Sequence, residues 1–277
     1  MENKLIHLGI DWEDFSLICF DNGLINYYKI YSKEFITETK YLLNFLENQK
    51  INCTFFCNAR TAEVYPSLAK LIALKGHQIA SHGYQHVYRD SLNDEDFLED
   101  CLKSKKILEE ITSKKIIGYR SPYLSLNKKN YISSLKILCK AGYSFDSSIT
   151  FGTLDKIKSI YPNYKDGIIE NISIKPLFSL KIFSKNINLA GGSIWRLVPS
   201  SLILFLIKFR LKPKSFSLYF HPYEFGKKLK PQRALGENVS KLKLYICYLR
   251  WNLGRKKIES LIIRINKLNN VKFNTYK

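Results

Sequence analysis

Short apolar segments of strand length recur along this chain. Each closes on polar residues, and each is followed by a segment with helical spacing. Residues 5–11, 51–57, 77–81, 114–119 and 143–148 are such strand segments. Residues 32–48, 61–75, 93–111 and 128–141 are the helical ones between them. The first strand, Leu5-Ile6-His7-Leu8-Gly9-Ile10-Asp11, is apolar enough to be buried on both faces, as in a parallel sheet. Helix signals agree with this division. Ser32 is a candidate N-cap with Glu34 in the first turn, Gly76 is a candidate C-cap, and Asn93-Asp94-Glu95-Asp96 opens a helix with acids at its start. Strands alternating with helices predict an α/β fold with a parallel sheet or barrel. In such folds the strand ends converge, so residues distant in sequence can meet.

The second half is less regular. Residues 151–164 read as loop, and 168–174 and 187–190 as strands. Gly191-Gly192-Ser193-Ile194-Trp195-Arg196 reads as a tight backbone approach near a ligand, or as a turn. Leu197 to Phe209 is strongly apolar and precedes Arg210, Lys212 and Lys214. A buried core helix is the preferred reading there, over a helix lying on an anionic membrane. Phe216 to Phe220 is a strand that delivers His221, and 240–251 and 255–268 read as helices before a last strand at 271–276. No internal repeat or low-complexity linker is visible. The expected organisation is a single domain over 1–277, with the motif-bearing barrel in about 5–225 and basic helices and the last strand in 226–277.

Charge is distributed unevenly. Of the net +20, residues 151–277 carry +19, from 25 Lys and Arg against 6 Asp and Glu. The basic half either meets an anionic partner or is a solvated surface. No nucleic-acid-binding motif accompanies it, so no nucleic acid is expected. No apolar run reaches the ~20 residues of a membrane span. Met1-Glu2-Asn3-Lys4 runs straight into the first strand without a signal-peptide pattern, so a cytoplasmic location is expected. Six cysteines (19, 53, 57, 101, 139 and 247) are scattered, and Cys53 and Cys57 read as small buried hydrophobes of a strand rather than metal ligands.

The strand ends carry the chemistry. In Ser81-His82-Gly83-Tyr84-Gln85-His86, two of the chain's five histidines stand four residues apart. On a helical turn both rings would project from one face and could share a metal ion, or they are solvated rings of a capping turn. Asp11-Trp12-Glu13-Asp14 places three carboxylates in four residues, a repulsion that a cation relieves. The alternative is a polar turn in which Asp14 caps a short helix.

Six stretches taken together resemble a known family: Asp-Trp-Glu-Asp-Phe (11–15), Thr-Phe-Phe (54–56), Gly-His-Gln-Ile-Ala-Ser-His-Gly-Tyr-Gln-His (76–86), Gly-Tyr-Arg-Ser-Pro (118–122), Phe-Asp-Ser-Ser (145–148) and Phe-His-Pro-Tyr-Glu (220–224). The family is the polysaccharide deacetylase superfamily, the NodB-homology domain of carbohydrate esterase family 4. The closest resemblance is to its intracellular-type branch with peptidoglycan-deacetylase-like and allantoinase-like members. The resemblance implies a distorted (β/α) barrel of about seven strands and one divalent metal ion, zinc first, with cobalt or nickel as alternatives. It makes His82 and His86 metal ligands. The third ligand is an acid, but Trp12 interrupts the family's usual Asp-Asp pair. Strand alternation puts Glu13 on the face of Asp11, so Glu13 is preferred and Asp14 is the alternative. By the same resemblance Asp11 is the general base, Arg120 orients it, the Tyr123 N–H stabilises the oxyanion, His221 is the general acid and Asp146 orients its ring.

The implied reaction is hydrolysis of an N-acetyl group on a sugar. The expected substrate is a nucleotide- or lipid-linked acetylated sugar on the way to a surface polysaccharide. The basic half with Leu197–Phe209 would suit a polyprenyl-phosphate carrier at the inner face of an anionic membrane. Two rivals stand beside it: allantoinase-like hydrolysis of a small cyclic amide, and an inactive barrel that binds glycan or anionic lipid.

Overall fold

The computed structural model describes residues 4–15, 32–159, 161, 164–165, 167–182, 185–210, 215–228, 230 and 240–276. Strand β1 (Lys4–Trp12) is the axis of its sheet, and nearly every residue in it is buried. One edge of β1 pairs in parallel with β10 (Ser215–Phe220), from Leu5 to Ile10. The other edge is shared. There β11 (Val271–Asn274) pairs with Lys4–His7, and β2 (Thr54–Cys57) pairs with Gly9–Trp12. The sheet continues through β3 (Gln78–Ser81), β4 (Gly118–Tyr119), β5 (Phe145–Asp146) and β7 (Ile172–Ile174), all parallel, to β6 (Ile168–Ile169), which is antiparallel. Strands β8 (Ser179–Ile182) and β9 (Lys185–Asn188) form a separate hairpin.

The far edge of β10 is met by short chain segments. Ser217 N–H donates to the Pro176 carbonyl at 3.1 Å, Phe178 N–H to Ser217 at 3.0 Å, and Tyr219 N–H to Ala190 at 2.8 Å. Eight strands thus follow one curled path, a half-barrel with loose closure, which is the distorted α/β barrel expected from the sequence. Register does the functional work. Trp12 pairs with Cys57, Cys57 with Ser81, Ser81 with Tyr119, and Tyr119 with Asp146, while Ile10 pairs with Phe220. The residues that follow these partners therefore emerge along one rim.

Helices pack outside the sheet. In α1 (Lys33–Asn48), Phe35, Thr39, Leu42, Leu43 and Leu46 bury one face, and the Phe35 N–H donates to the Ser32 cap at 3.2 Å. The indole of Trp12 donates to Thr39 at 3.0 Å, tying the end of β1 to this helix. The helix expected over 61–75 is two, α2 (Ala59–Val64) and α3 (Pro66–Leu74). Pro66 has no N–H to continue the first. Next come α4 (Asp94–Thr112), capped by Asn93, and α5 (Tyr131–Lys140).

Two readings of the second half are corrected. The loop expected at 151–164 contains α6 (Phe151–Lys158), capped by Thr150 and seated on Leu154 and Ile157. Its two turns are too short to show a period. The segment 197–209 is not a buried core helix. It spans the end of α7 (Gly192–Leu197), a break at Pro199, α8 (Ser200–Phe205) and a π-type turn at Leu206–Arg210. Ile203 and Ile207 are buried there, but Leu197, Leu202, Phe205 and Phe209 are exposed. Helices α9 (Lys241–Asn252) and α10 (Lys256–Asn266) follow, and α10 buries Ile258, Leu261, Ile262 and Ile265.

Candidate active site

Asp11 sits near the end of β1, buried, and receives a hydrogen bond from Arg120 Nη1 at 2.6 Å. Arg120 is itself fully buried and held on every side. Its Nε donates to the Ser147 carbonyl at 3.0 Å, and its Nη2 to Ser147 Oγ at 3.0 Å and the Tyr276 hydroxyl at 2.9 Å. The ring of Phe56 lies 3.8 Å below the guanidinium. Gly9 makes room for it, since a Cβ there would stand 2.6 Å from Nη1. Burial opposes this charge, and Asp11 more than offsets it, raising the Arg120 pKa further.

The two histidines do not lie on a helical turn. Gly83 at φ +69° and His86 at φ +57° make an irregular loop. Asp100 of α4 holds it by accepting from Tyr84 N–H at 3.0 Å and Gln85 N–H at 2.8 Å. The rings nevertheless meet, with centroids 5.3 Å apart. His82 Nδ1 faces the Arg120 carbonyl at 2.8 Å, which fixes that nitrogen as the donor and turns Nε2 toward Glu13 Oε2 at 3.7 Å. Glu13 Oε2 also lies against His86 Nε2. Burial pushes His82 below its ordinary pKa and so favours the neutral imidazole a metal needs. Glu13 is fully buried. Burial would raise its pKa, but the facing His86 and His221 win and hold it well below the usual carboxylate range.

Glu13, His82 and His86 thus offer three ligand atoms within 4.8 Å of one another, all on buried residues. Two imidazoles and one carboxylate with open positions form the donor set of a catalytic zinc-type centre. Glu13 Oε2, moreover, is buried with no hydrogen bond of ordinary geometry. The residues fit a divalent ion. Asp14, next in the chain and also buried, is not part of this trio.

His221 follows β10 and closes the site from the opposite side, its Nε2 3.3 Å from Glu13 Oε1. Its ring stacks on Tyr223 at 4.8 Å. Asp146 does not orient this ring. That buried carboxylate accepts instead from Tyr131 OH at 3.1 Å, Ser148 N–H at 3.1 Å and the Ser148 hydroxyl, and burial raises its pKa to about 6. The ring's partner is Glu224, at 3.0 Å from Nδ1, and the same Oε2 accepts the His221 N–H at 3.0 Å. The reason is local: a 3-10 turn at Pro222–Glu224 brings its third residue, Glu224, back onto the cap residue His221. Burial alone would lower the His221 pKa, but Glu13 and Glu224 reverse this and hold it at about 10. Glu224 is in turn flanked by Arg196 Nε at 4.0 Å, and Gly192 passes so close that a Cβ there would meet Glu224 Oε1 at 1.8 Å. The Gly191–Gly192 approach expected from sequence is therefore to a buried site carboxylate.

Tyr123 has the backbone of the left-handed region, φ +57° and ψ 10°. Its ring stacks on Tyr88 at 4.2 Å and meets the edge of His86 at 4.9 Å, forming an aromatic wall on the His86 side of the trio.

Residues 13–145 match the family model for polysaccharide deacetylase. The chain carries a polysaccharide deacetylase domain. Residues 155–277 match a second model, a domain of unknown function (DUF3473). Among curated proteins, the deacetylase domain is similar to a peptidoglycan-N-acetylglucosamine deacetylase of Bacillus cereus, 29% identical over 85 residues, 31% of each chain. It is also similar to a peptidoglycan deacetylase of Helicobacter pylori, 26% identical over 111 residues, 39% of this chain and 36% of that one. The match thus spans about a third of the length of these curated relatives. Among solved structures, a Mycobacterium smegmatis protein described as a polysaccharide deacetylase superposes with a TM-score of 0.58 at 15% identity, covering 98% of this chain and 86% of that one. That likeness extends the deacetylase fold over the second half as well.

Proposed function

We propose that this chain is a metal-dependent N-deacetylase that removes acetyl groups from an acetylated sugar. The observation that carries the reading is the buried Glu13–His82–His86 trio, set between the Asp11–Arg120 pair and the His221–Glu224 pair. A pure binding module would need neither a held base nor a held acid.

When bound, a divalent ion supplies Lewis acidity: it polarises the amide carbonyl and brings the pKa of water toward about 7. The chain's residues supply the rest. Asp11, fixed through one oxygen by Arg120, takes the proton of the attacking water. Water oxygen bonds to the carbonyl carbon, and the Tyr123 N–H meets the charge that develops on the carbonyl oxygen. His221 enters as the imidazolium, with both carboxylates favouring its charged form, and gives its Nε2 proton to the departing nitrogen. The C–N bond breaks, leaving acetate and a free amine. Glu224 keeps the ring aimed by holding Nδ1. The curated relatives are named for peptidoglycan and its N-acetylglucosamine. We extend this to a nucleotide- or lipid-linked acetylated sugar of surface polysaccharide synthesis, because the basic second half suits a phosphate-bearing substrate.

The test is elemental analysis of bound metal in the wild type and in a folded His82→Ala/His86→Ala variant, followed by acetate release from N-acetylated sugar donors. About one equivalent of metal, lost with the histidines, is expected. A wild type that holds no metal after incubation with zinc, cobalt or nickel would overturn the reading.

A further inference from the structure

Helix α9 carries its apolar side outward. Leu242, Ile246 and Leu249, with Leu253 just beyond, follow the 4-3-4 spacing of one helical stripe, and Tyr245 lies beside it. Their exposures are 69%, 55%, 44%, 60% and 59%. The helix is anchored elsewhere. Trp251 packs edge-on against Tyr223 at 5.6 Å and Phe15 at 5.2 Å, and Arg196 Nη1 donates to the Arg250 carbonyl at 2.8 Å.

A second apolar face adjoins it. Leu197, Leu202, Phe205 and Phe209, from the end of α7 through α8 to the π-type turn, are exposed. The two faces are tied at one junction: Lys257 Nζ donates to the Arg196 and Val198 carbonyls at 3.0 and 2.9 Å, and Gly254 lies directly against the Arg196 carbonyl. Leu197 and Leu253 flank that junction. Among the described residues, nine of the fifteen exposed large hydrophobics belong to these two faces, and the other six are scattered. Scattered ones need no partner, but two exposed apolar faces joined at one junction mark an interaction surface.

Charge selects the partner. Residues 192–257 contain fifteen Lys and Arg and two acids, Glu224 and Glu237. Glu224 is buried in the candidate site. Helix α9 holds Lys241, Lys243 and Arg250 and no acid at all. A second copy of a face flanked by the exposed Lys241, Lys243 and Arg250 would be repelled. No helix among the described residues is long and apolar enough to cross a membrane. An outward apolar stripe bordered by cations is the pattern of a helix that lies in a bilayer interface.

We propose that the face formed by α8 and α9 docks on an anionic lipid bilayer, with the apolar stripe in the headgroup boundary and the cations on the lipid phosphates. Trp251 touches Tyr223, and Tyr223 stacks on His221, so the docking face lies one helix away from the candidate active site. On the deacetylase reading, which this last step alone rests on, the docked enzyme meets an acetylated sugar carried on a membrane lipid.

Flotation with vesicles tests the docking. The full chain is expected to float with equimolar phosphatidylcholine–phosphatidylglycerol vesicles at low salt, and not with phosphatidylcholine alone. Ile246→Asp/Leu249→Asp is expected to weaken this binding by about tenfold or more, with an unchanged melting temperature. His82→Ala/His86→Ala is expected to bind vesicles like the wild type, so loss of the metal reading and loss of the docking reading are told apart. No flotation at low salt, or equal flotation of the aspartate variant, would overturn the proposal. So would a melting temperature lowered by the aspartates, meaning the stripe packs on its own chain, or a wild-type dimer that they dissociate.

Discussion

Glu224 reaches His221 twice, through the ring Nδ1 and the backbone N–H, and no water-exposed group competes for it because the carboxylate is 4% exposed. Replacing one acceptor there changes which ring nitrogen carries the proton and how firmly the ring is aimed, without touching the Glu13–His82–His86 trio. Glu224→Gln is expected to lower kcat by about 10- to 100-fold, a part of the 10²- to 10⁴-fold that a positioned general acid supplies, with KM and bound metal unchanged. Asp146→Asn, at the carboxylate that meets Tyr131 and Ser148 instead, is expected to alter melting temperature and leave kcat near wild type. Steady-state kinetics of the pair decides between them, and a kcat loss in Asp146→Asn alone would reassign the positioning role. A second prediction concerns His7, which stacks on Tyr276 at 4.8 Å and stands near Lys175. Burial, then Lys175, lowers its pKa from 6.5 to about 4. The unfolded chain therefore binds the extra proton between these values, and the fold loses stability as pH falls from 6.5 to 4. The full shift corresponds to about 3 kcal/mol, an upper limit. His7→Phe keeps the stack and removes the proton site, so urea midpoints of the variant are expected to fall less steeply over that interval. Parallel slopes for the two proteins would show that His7 does not contribute.

At the level of elements, the turn into α7 matters because it has no side chain where the site needs space. Gly192→Ala would place a methyl 1.8 Å from Glu224 Oε1. Overpacking of this kind costs about 1–3 kcal/mol, and relief requires Glu224 to withdraw from His221. The expected result is a lower melting temperature together with a kcat loss like that of Glu224→Gln; a stable variant with full turnover would separate the glycine from the acid. The elements that were legible in the sequence are those with long periods or strong punctuation. Helix α1 showed itself through Ser32 and six buried positions, and β1 through an unbroken apolar run. Helix α6, with two turns, and the π-type turn after α8 had too few residues to display a period. The site divides in the same way. Asp11, Arg120, His82 and His221 each stand at a strand end, where pattern and position agree, and His86 follows His82 at the paired spacing. Glu224 was overlooked although His-Pro-Tyr-Glu has the spacing of a capping box, Glu three residues after the cap, which is the signal that would have found it. Tyr276 had no such signal. Its approach to Arg120 depends on β11 returning to β1 across most of the chain, and nothing local encodes that pairing.

For the whole molecule, the boundary between the two family matches does not coincide with a boundary in the sheet. Strand β1 belongs to the first half, yet β10 covers it from Leu5 to Ile10 and β11 from Lys4 to His7, and both come from the second half. The site is divided likewise. The trio and the Asp11–Arg120 pair come from residues before 121, while His221, Glu224 and the Tyr276 hydroxyl that steadies Arg120 come from beyond 220. A fragment ending at Thr150 would therefore expose one edge of β1 along its whole paired length and part of the other. It would also leave Arg120 with a lost acceptor in the core. Removing a partner from a buried charge costs about 3–5 kcal/mol where the pair is broken outright, and an open apolar edge strand invites aggregation. Residues 1–150 alone are expected to be insoluble or to lack a cooperative unfolding transition, and to bind metal far more weakly than the full chain. Co-expression with residues 151–277 as a separate polypeptide is expected to restore both properties, because the pairing of β1 with β10 and β11 does not require a covalent connection at residue 150. Calorimetry and metal stoichiometry of the fragment, alone and co-expressed, measure this directly. A fragment that melted cooperatively with a full equivalent of metal would mean that the deacetylase half folds by itself and that the second half was added to a finished site. If the fragment fails and the pair succeeds, the segment matched only as a domain of unknown function is the other half of one barrel, and its acid and positioning residues complete the deacetylase site.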